Sequence, residues 1–480
     1  MTHKAPMKDL IILLPGILGS VLQKDGKDLW TVSGRAVWQM LTQSGEMVRN
    51  LKLAQDDPEA ESLGDGVQAT ALMQDAHLIP GFWKIDGYTQ TARLITDNFE
   101  VTLGDIYNDP DDKAANFYPF PYDWRRDNRA NARILKTLID KRLTCWREQS
   151  GAADAKVILL AHSMGGLVSR YYLEVLEGWQ DSRALFTFGT PYRGSLKAVN
   201  FLANGYKKLF LDLTDVMRSL TSIYQLLPIY KVINIDGAYH RVAETDRLPN
   251  VDQRRAQEAL AFHREIEAAV DRHRQDERYL RSFTTVPICG TRQPTLQSAT
   301  LSDGKLVASE ALPDVLKKRP DLGEGDGTVP KISAIPIEPR EFNHFFIAEQ
   351  HGALQNQSQV LEHLLNVLQM GQFEPERVRG DAQAAISLSL DDLYLTDERV
   401  TLRARLFGVP SSVSGTLKAE IESVSGDRPS HNIYFTEQGQ EWELAIDDLA
   451  AGLYRVTVSA ENTGDQAPTP VHDLFEVVRN

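Results

Sequence analysis

The sequence predicts an α/β fold, a mostly parallel sheet with helices on both faces, followed by a C-terminal all-β sandwich. Three observations carry this. Short apolar runs alternate with helical patterns through the first three quarters of the chain. Four of those runs are apolar enough to be buried on both faces. From about Phe373 the texture changes to runs of alternating polarity separated by Gly, Ser, Asp and Pro. At 480 residues the chain exceeds one ordinary core, so two domains are expected, 1–372 and 373–480.

The predicted buried strands are Leu10–Leu14, Lys156–Ala161, Ala184–Phe188 and Val286–Cys289. A helix is expected over Ser163–Trp179, with Leu167, Tyr171, Val175 and Leu176 on one side. Two segments break the alternation and read as insertions, 24–80 and 196–283. The first carries Trp30, Trp38 and an acidic tract, Asp56–Asp65; the second ends in a charged helical stretch, Asp252–Arg281. Such insertions form caps over a site, or they pack as extra helices on the body. In the last domain Ala385–Leu390, Val400–Leu406, Leu417–Ile421 and Tyr454–Ser459 have the spacing of an immunoglobulin-like sandwich.

A hydrophobic fraction of 42% and a charged fraction of 25% are those of a globular protein. The net charge of -14 excludes nucleic acid as the main partner, because phosphate binding needs a basic surface. Residues 374–480 carry 9 basic and 19 acidic side chains, so most of the negative charge lies in the β domain. The two cysteines, Cys145 and Cys289, imply no disulfide framework and suit a reducing compartment. The first ten residues hold no signal-length apolar core, and Leu10–Leu22 is interrupted by Pro15, Gly16 and Gly19. The expectation is a cytoplasmic protein, at most peripheral at a membrane surface.

The strongest local signal is Lys156-Val-Ile-Leu-Leu-Ala-His-Ser-Met-Gly-Gly-Leu167. A buried strand runs into a small-x-Ser-x-Gly turn, and a helix follows. That layout holds a serine hydroxyl above the sheet on a strained backbone, and strand and helix then pass so close that the flanking residues, Ala161 and Gly165, must be small. Ser163 is therefore the candidate nucleophile of an α/β-hydrolase fold, and the amide of Met164 a candidate oxyanion donor at the helix N-terminus.

A serine needs a base held by a carboxylate, and in this fold acid and base follow the serine in that order. Gly323-Glu-Gly-Asp-Gly-Thr-Val-Pro330 offers Asp326, with Glu324 as its competitor. Of the later histidines, His431 and His472 lie in the appended domain and His363 in an amphipathic helix, Ser358–Met370. His351, in a Gln-His-Gly loop after Phe345-Phe-Ile-Ala, is the favoured base; His344 reads as structural. Near the N-terminus, Pro15-Gly-Ile17 closes an early strand, and the Ile17 amide can face the developing oxyanion.

With these pieces in place the chain resembles the lecithin:cholesterol acyltransferase family. The motifs are Leu14-Pro-Gly-Ile-Leu-Gly-Ser20, Trp83-Lys-Ile-Asp-Gly-Tyr88, Tyr118-Pro-Phe-Pro-Tyr-Asp-Trp-Arg125 and Ala161-His-Ser-Met-Gly-Gly166. Phe186-Thr-Phe-Gly-Thr-Pro-Tyr-Arg-Gly-Ser195 and Gly325-Asp-Gly-Thr-Val-Pro330 complete the set. The resemblance does not extend beyond about residue 372. It implies catalytic Ser163, Asp326 and His351, oxyanion amides at Ile17 and Met164, and an ester substrate drawn from phospholipid or neutral lipid. Tyr122–Arg126 is expected to support the site from the sheet edge, through Arg125 paired with Asp123 or a backbone carbonyl, and Thr190–Ser195 to shape the pocket wall. The chain lacks the paired cysteines of secreted members.

The chemistry requires no metal or cofactor. A lipid acyl-ester hydrolase leads, an acyltransferase using the same triad follows, and a third reading makes the core a scaffold whose acidic β domain binds a regulatory protein.

Overall fold

The computed structural model describes the chain apart from residues 1–3, 32–44, 75–76, 80–82, 209–210, 338–344, 371–383, 409–414, 426–427, 440, 464–466 and 480. The four expected buried strands lie side by side at the centre of one six-stranded parallel sheet. In chain order its strands are β1 (Leu10–Leu14), β2 (Phe117–Pro119), β3 (Val157–His162), β4 (Ser182–Phe188), β5 (Thr284–Gly290) and β6 (Phe345–Ile347). Across the sheet they run β2-β1-β3-β4-β5-β6, all parallel. Every residue of β1 and β3 is buried, which is why these runs are apolar throughout rather than alternating.

Helices cover the sheet. In chain order, α1 is Thr89–Asn98, α2 Asn128–Ser150, α3 Gly165–Arg170, α4 Leu196–Asn204, α5 Thr221–Gln225, α6 Gln253–His273 and α7 Ser358–Met370. The start of α2 is capped by Asp127, whose side chain accepts from the Arg129 amide at 2.7 Å, and its end by Gly151 at φ 74°.

The helix expected over 163–179 is shorter and irregular. After α3 it opens into a π-helical turn, Tyr171–Val175, then a 3-10 turn, Gly178–Asp181. Here Leu176 donates back to Tyr171 over five residues, at 3.1 Å. Buried Glu174 lies in the widened turn and accepts from the Tyr279 hydroxyl at 2.9 Å.

The described part of the first insertion packs on the body. Ser20–Lys24, Lys27–Trp30 and Val67–Leu72 form a small antiparallel sheet. The acidic tract clamps a buried pair of arginines: Asp65 meets Arg125 at 2.8 Å, and the carbonyls of Asp57, Ala60 and Glu61 accept from Arg126. Trp38 lies outside the described residues. The second insertion divides its roles. Its α4 and α5 wall the cleft beside Ser163, whereas α6 packs against the π-helical turn and pairs Glu265 with Arg129 at 2.7 Å.

After residue 383 two sheets face each other. Their strands are β7 (Ala385–Leu390), β8 (Leu393–Leu395), β9 (Val400–Phe407), β10 (Thr416–Ser423), β11 (His431–Tyr434), β12 (Thr436–Gln438), β13 (Glu441–Ile446), β14 (Gly452–Glu461) and β15 (Val471–Val478). One sheet runs β7-β9-β13-β12, the other β8-β15-β14-β10-β11. Ile386 and Leu402 from the first meet Leu417, Val456 and Phe475 from the second in a core separate from that of the parallel sheet. The expected boundary at 372/373 falls outside the described residues. Among the described residues no helix is long and apolar enough to cross a membrane.

Candidate active site

Ser163 follows β3 with φ at 51°, a left-handed conformation costly for any residue with a Cβ. Three hydrogen bonds hold it there. Its amide donates to the Phe188 carbonyl at 2.8 Å, and its carbonyl accepts from the Gly166 amide at 3.0 Å and the Thr190 hydroxyl at 2.9 Å. The glycines are required by space. A Cβ on Gly165 would stand 2.4 Å from the Pro15 carbonyl oxygen, and one on Gly166 2.0 Å from Thr190 Oγ1.

The structure brings Ser163, His351 and Asp326 together. His351 Nε2 lies 2.9 Å from Ser163 Oγ, and its Nδ1 2.7 Å from Asp326 Oδ2. The other Asp326 oxygen accepts from the amides of Thr328 and Val329 at 2.9 and 2.6 Å, which fixes the carboxylate and leaves Oδ2 for the imidazole. His351 and Asp326 are also joined through their backbones, the His351 amide donating to the Asp326 carbonyl at 2.8 Å. Glu324 is exposed and lies 3.6 Å from Arg292, away from the imidazole. His363 stacks on Phe345 at 4.6 Å, and His344 lies outside the described residues.

Ile17 and Met164 flank the serine. The Pro15-Gly16 turn passes so near that a Cβ on Gly16 would stand 2.9 Å from Ser163 Cβ; Ile17 follows it. Met164 is the N-cap of α3. Both segments leave the carboxyl ends of neighbouring strands, β1 and β3, where the strand order reverses, the usual location of ligand sites in such sheets. The Tyr122–Arg126 loop supports this turn: the Tyr122 hydroxyl donates to the Pro15 carbonyl at 2.8 Å, and Arg125 Nε to Asp123 at 2.9 Å.

Two buried residues join the serine and histidine sides, and neither was assigned a role from the sequence. The Gly16 amide donates to the Tyr88 hydroxyl at 2.8 Å, Tyr88 Oη lies 2.9 Å from His162 Nδ1, and His162 Nε2 lies 3.1 Å from the His351 carbonyl. A carbonyl only accepts, so His162 carries its proton on Nε2 and Tyr88 donates to Nδ1. Burial, with the neighbouring His351, pulls the His162 pKa down to about 3, so its ring stays neutral. Burial raises that of Tyr88. The signals available were a histidine directly before the serine and the Trp83–Tyr88 motif.

Ser163 is 0% exposed and borders a narrow cleft lined by Pro191, Phe201, Ile223, Leu226 and Val329, with Ser195, Lys197 and Thr328 beside them.

Residues 110–275 match the lecithin:cholesterol acyltransferase family model, which bears out the resemblance drawn from the motifs. A 116-residue stretch is 31% identical to lysosomal phospholipase A and acyltransferase of Homo sapiens, covering 22% of this chain and 27% of that protein. The Rattus norvegicus protein of the same name is 30% identical over the same length and shares. The chain thus spans about a quarter of the length of the curated relatives it matches. Among solved structures, the Bacillus licheniformis lipase BlEst2 in propeptide form aligns over 99% of this chain and 94% of its own, at 12% identity and a TM-score of 0.37. The CARDB domain of PF1109 from Pyrococcus furiosus aligns over 20% of this chain and 94% of its own, at 10% identity and a TM-score of 0.15.

Proposed function

We propose that the chain is a serine-dependent hydrolase of lipid acyl esters, with Ser163 as nucleophile, His351 as base and Asp326 as its orienting acid. The carrying observation is the continuous run of hydrogen bonds from Asp326 through His351 to a serine held at positive φ. His351 accepts the Ser163 proton as the oxygen attacks the ester carbonyl. The amides of Ile17 and Met164 receive the tetrahedral oxyanion, and His351 then protonates the departing alkoxide. The acyl-enzyme is released by water activated by the same imidazole.

The apolar side chains of Phe201, Ile223, Leu226 and Val329 beside Ser163 suit contact with an acyl chain, and the names of the matched relatives support lipid esters as the substrate class. Those names also include acyl transfer, so an alcohol in place of water is the second reading.

A fluorophosphonate probe and a panel of phospholipid and neutral esters test the proposal. Wild type is expected to label and hydrolyse, while Ser163→Ala does not label and loses at least about 10⁴ in kcat. Equal labelling of the two proteins overturns the nucleophile assignment. Radiolabelled acyl product measured with and without added alcohol separates hydrolysis from transfer.

A further inference from the structure

We infer that the C-terminal β-sandwich is a clasp on the loop carrying His351, with His472 and Glu349 as positioning residues for that histidine. The inference rests on the hydrolase reading above and goes beyond it by giving the appended domain a part in the active site.

The loop leaves β6 as Ala348-Glu-Gln-His-Gly352. His351 and Gly352 are tied to the catalytic body: the Asp86 amide donates to the Gly352 carbonyl at 2.9 Å, and a Cβ on Gly352 would stand 2.2 Å from the Lys84 carbonyl oxygen. The two preceding side chains reach the other way, into the sandwich.

Glu349 is wholly buried, and a buried carboxylate is tolerated only when its oxygens are satisfied. Oε1 accepts from the Gln350 amide at 2.8 Å and from the His472 amide at 2.9 Å, and Oε2 accepts from His472 Nδ1 at 2.8 Å. Two of these three donors belong to β15 of the sandwich. Burial raises the Glu349 pKa. Burial opposes charge on His472, but the bond and charge of Glu349, with Asp86, outweigh it and the repulsion of Arg455, so His472 moves upward.

Gln350 makes the second tie. Its Nε2 donates to the Leu388 carbonyl and to Gln293 Oε1, both at 3.1 Å. Gln293 in turn donates to the Ile386 carbonyl at 3.0 Å and accepts from the Leu388 amide at 3.1 Å. Its side-chain amide thereby pairs with β7, an edge strand, as a neighbouring strand would.

The third tie holds Lys84 and Asp86, the residues against which Gly352 packs. Lys84 lies between Asp473, at 2.8 Å, and Asp392, at 2.6 Å, and Arg455 pairs with Asp86. A polar cavity of about 150 Å³ follows this seam, with His351 and Gln350 on one side and Leu388, Asp392 and Asp473 on the other.

These ties are polar, and removing one partner of a buried polar tie leaves the other uncompensated. Removing the His472 imidazole takes from Glu349 its donor to Oε2 and leaves the two backbone amides on Oε1, one residue removed from Gln350 and two from the catalytic imidazole. A displacement of 1 Å at a reacting group lowers a rate by up to about 10².

The test uses the full chain, a soluble short-chain ester and the fluorophosphonate probe. His472→Ala is expected to lower kcat and the labelling rate together by about tenfold to a hundredfold, with KM changed less than about twofold. His472→Asn, whose amide nitrogen stands where Nδ1 does, is expected to restore kcat to within about threefold of wild type. An unchanged kcat in folded His472→Ala, or no recovery in His472→Asn, overturns the clasp while leaving the hydrolase reading intact. Should His472→Ala not fold, Gln350→Ala decides: a several-fold fall in kcat supports the clasp, and wild-type kcat overturns it. A wild type that neither labels nor turns over overturns the hydrolase reading and the clasp together.

Discussion

Around Ser163 most constraints come from one strand–turn–helix segment and the strands beside it, whereas the loop carrying His351 is held by residues far along the chain. Ser163 owes its position to β3, to glycines two and three residues later, and to Phe188 and Thr190 at the end of the adjacent strand. His351 depends on Asp326, on His162 at 189 residues' remove, and on Glu349, which pairs with His472 123 residues further along. A nucleophile under backbone strain needs rigid close neighbours, while a base that must only be aimed can be held by a network. Local packing should therefore fail by steric clash, and the network by graded loss.

The sharpest break on the serine side is Gly165→Ala. Its methyl meets the Pro15 carbonyl oxygen, which is backbone and cannot rotate aside, so the turn carrying the Ile17 amide must move. Loss of one oxyanion donor lowers kcat by about 10²–10³; steady-state kinetics on a soluble ester check this, with KM expected to change little. Gly166→Ala clashes instead with the Thr190 side chain and should lose about 1–3 kcal/mol of stability in urea titration.

Tyr88→Phe probes the bridge between the two sides. It leaves the Gly16 amide and His162 Nδ1 without their buried partner, which should destabilise the fold by about 1–3 kcal/mol. With both the oxyanion turn and the His351 carbonyl loosened, kcat should fall by about tenfold. A stability loss without any change in kcat would sink the idea that the bridge aligns the two halves.

The smallest and most discriminating test is pH. His162 is held at about 3 when folded, against an ordinary value of about 6.5, so between these values the unfolded chain binds more protons. Its contribution to stability is complete above about pH 6.5 and is lost as pH falls toward about 3. His263, held at about 4 mainly by burial, acts in the same direction. His472 is shifted upward, so its contribution is complete below about pH 6.5 and is lost as pH rises through its folded value. Urea midpoints across this range should show His162→Gln flattening the acid limb and His472→Asn flattening the limb above about pH 6.5.

Much of this was legible in the chain because its physics is local. The buried strands, the serine turn and the appended sandwich each announce themselves by apolar runs, small residues or alternation within a short window. Asp326 and His351 stand out as candidates because chain order restricts the choice, and Glu324 falls away once its exposure is seen. The helical character of 163–179 was legible, but hydrophobic spacing does not report the π turn within it, which accompanies a buried glutamate and its tertiary partners.

Sequence alone determined the parallel sheet and the strained serine turn, since backbone propensity, burial and sterics act between near neighbours. Only the tertiary structure decided that Tyr88 and His162 bridge the site, and that the acidic appended domain turns His472 onto the loop of His351 and Asp392 and Asp473 onto Lys84. Charge and hydrogen-bonding capacity are visible in a residue's identity, but partners separated by a hundred or more positions are chosen by the fold that brings them to 3.1 Å or less.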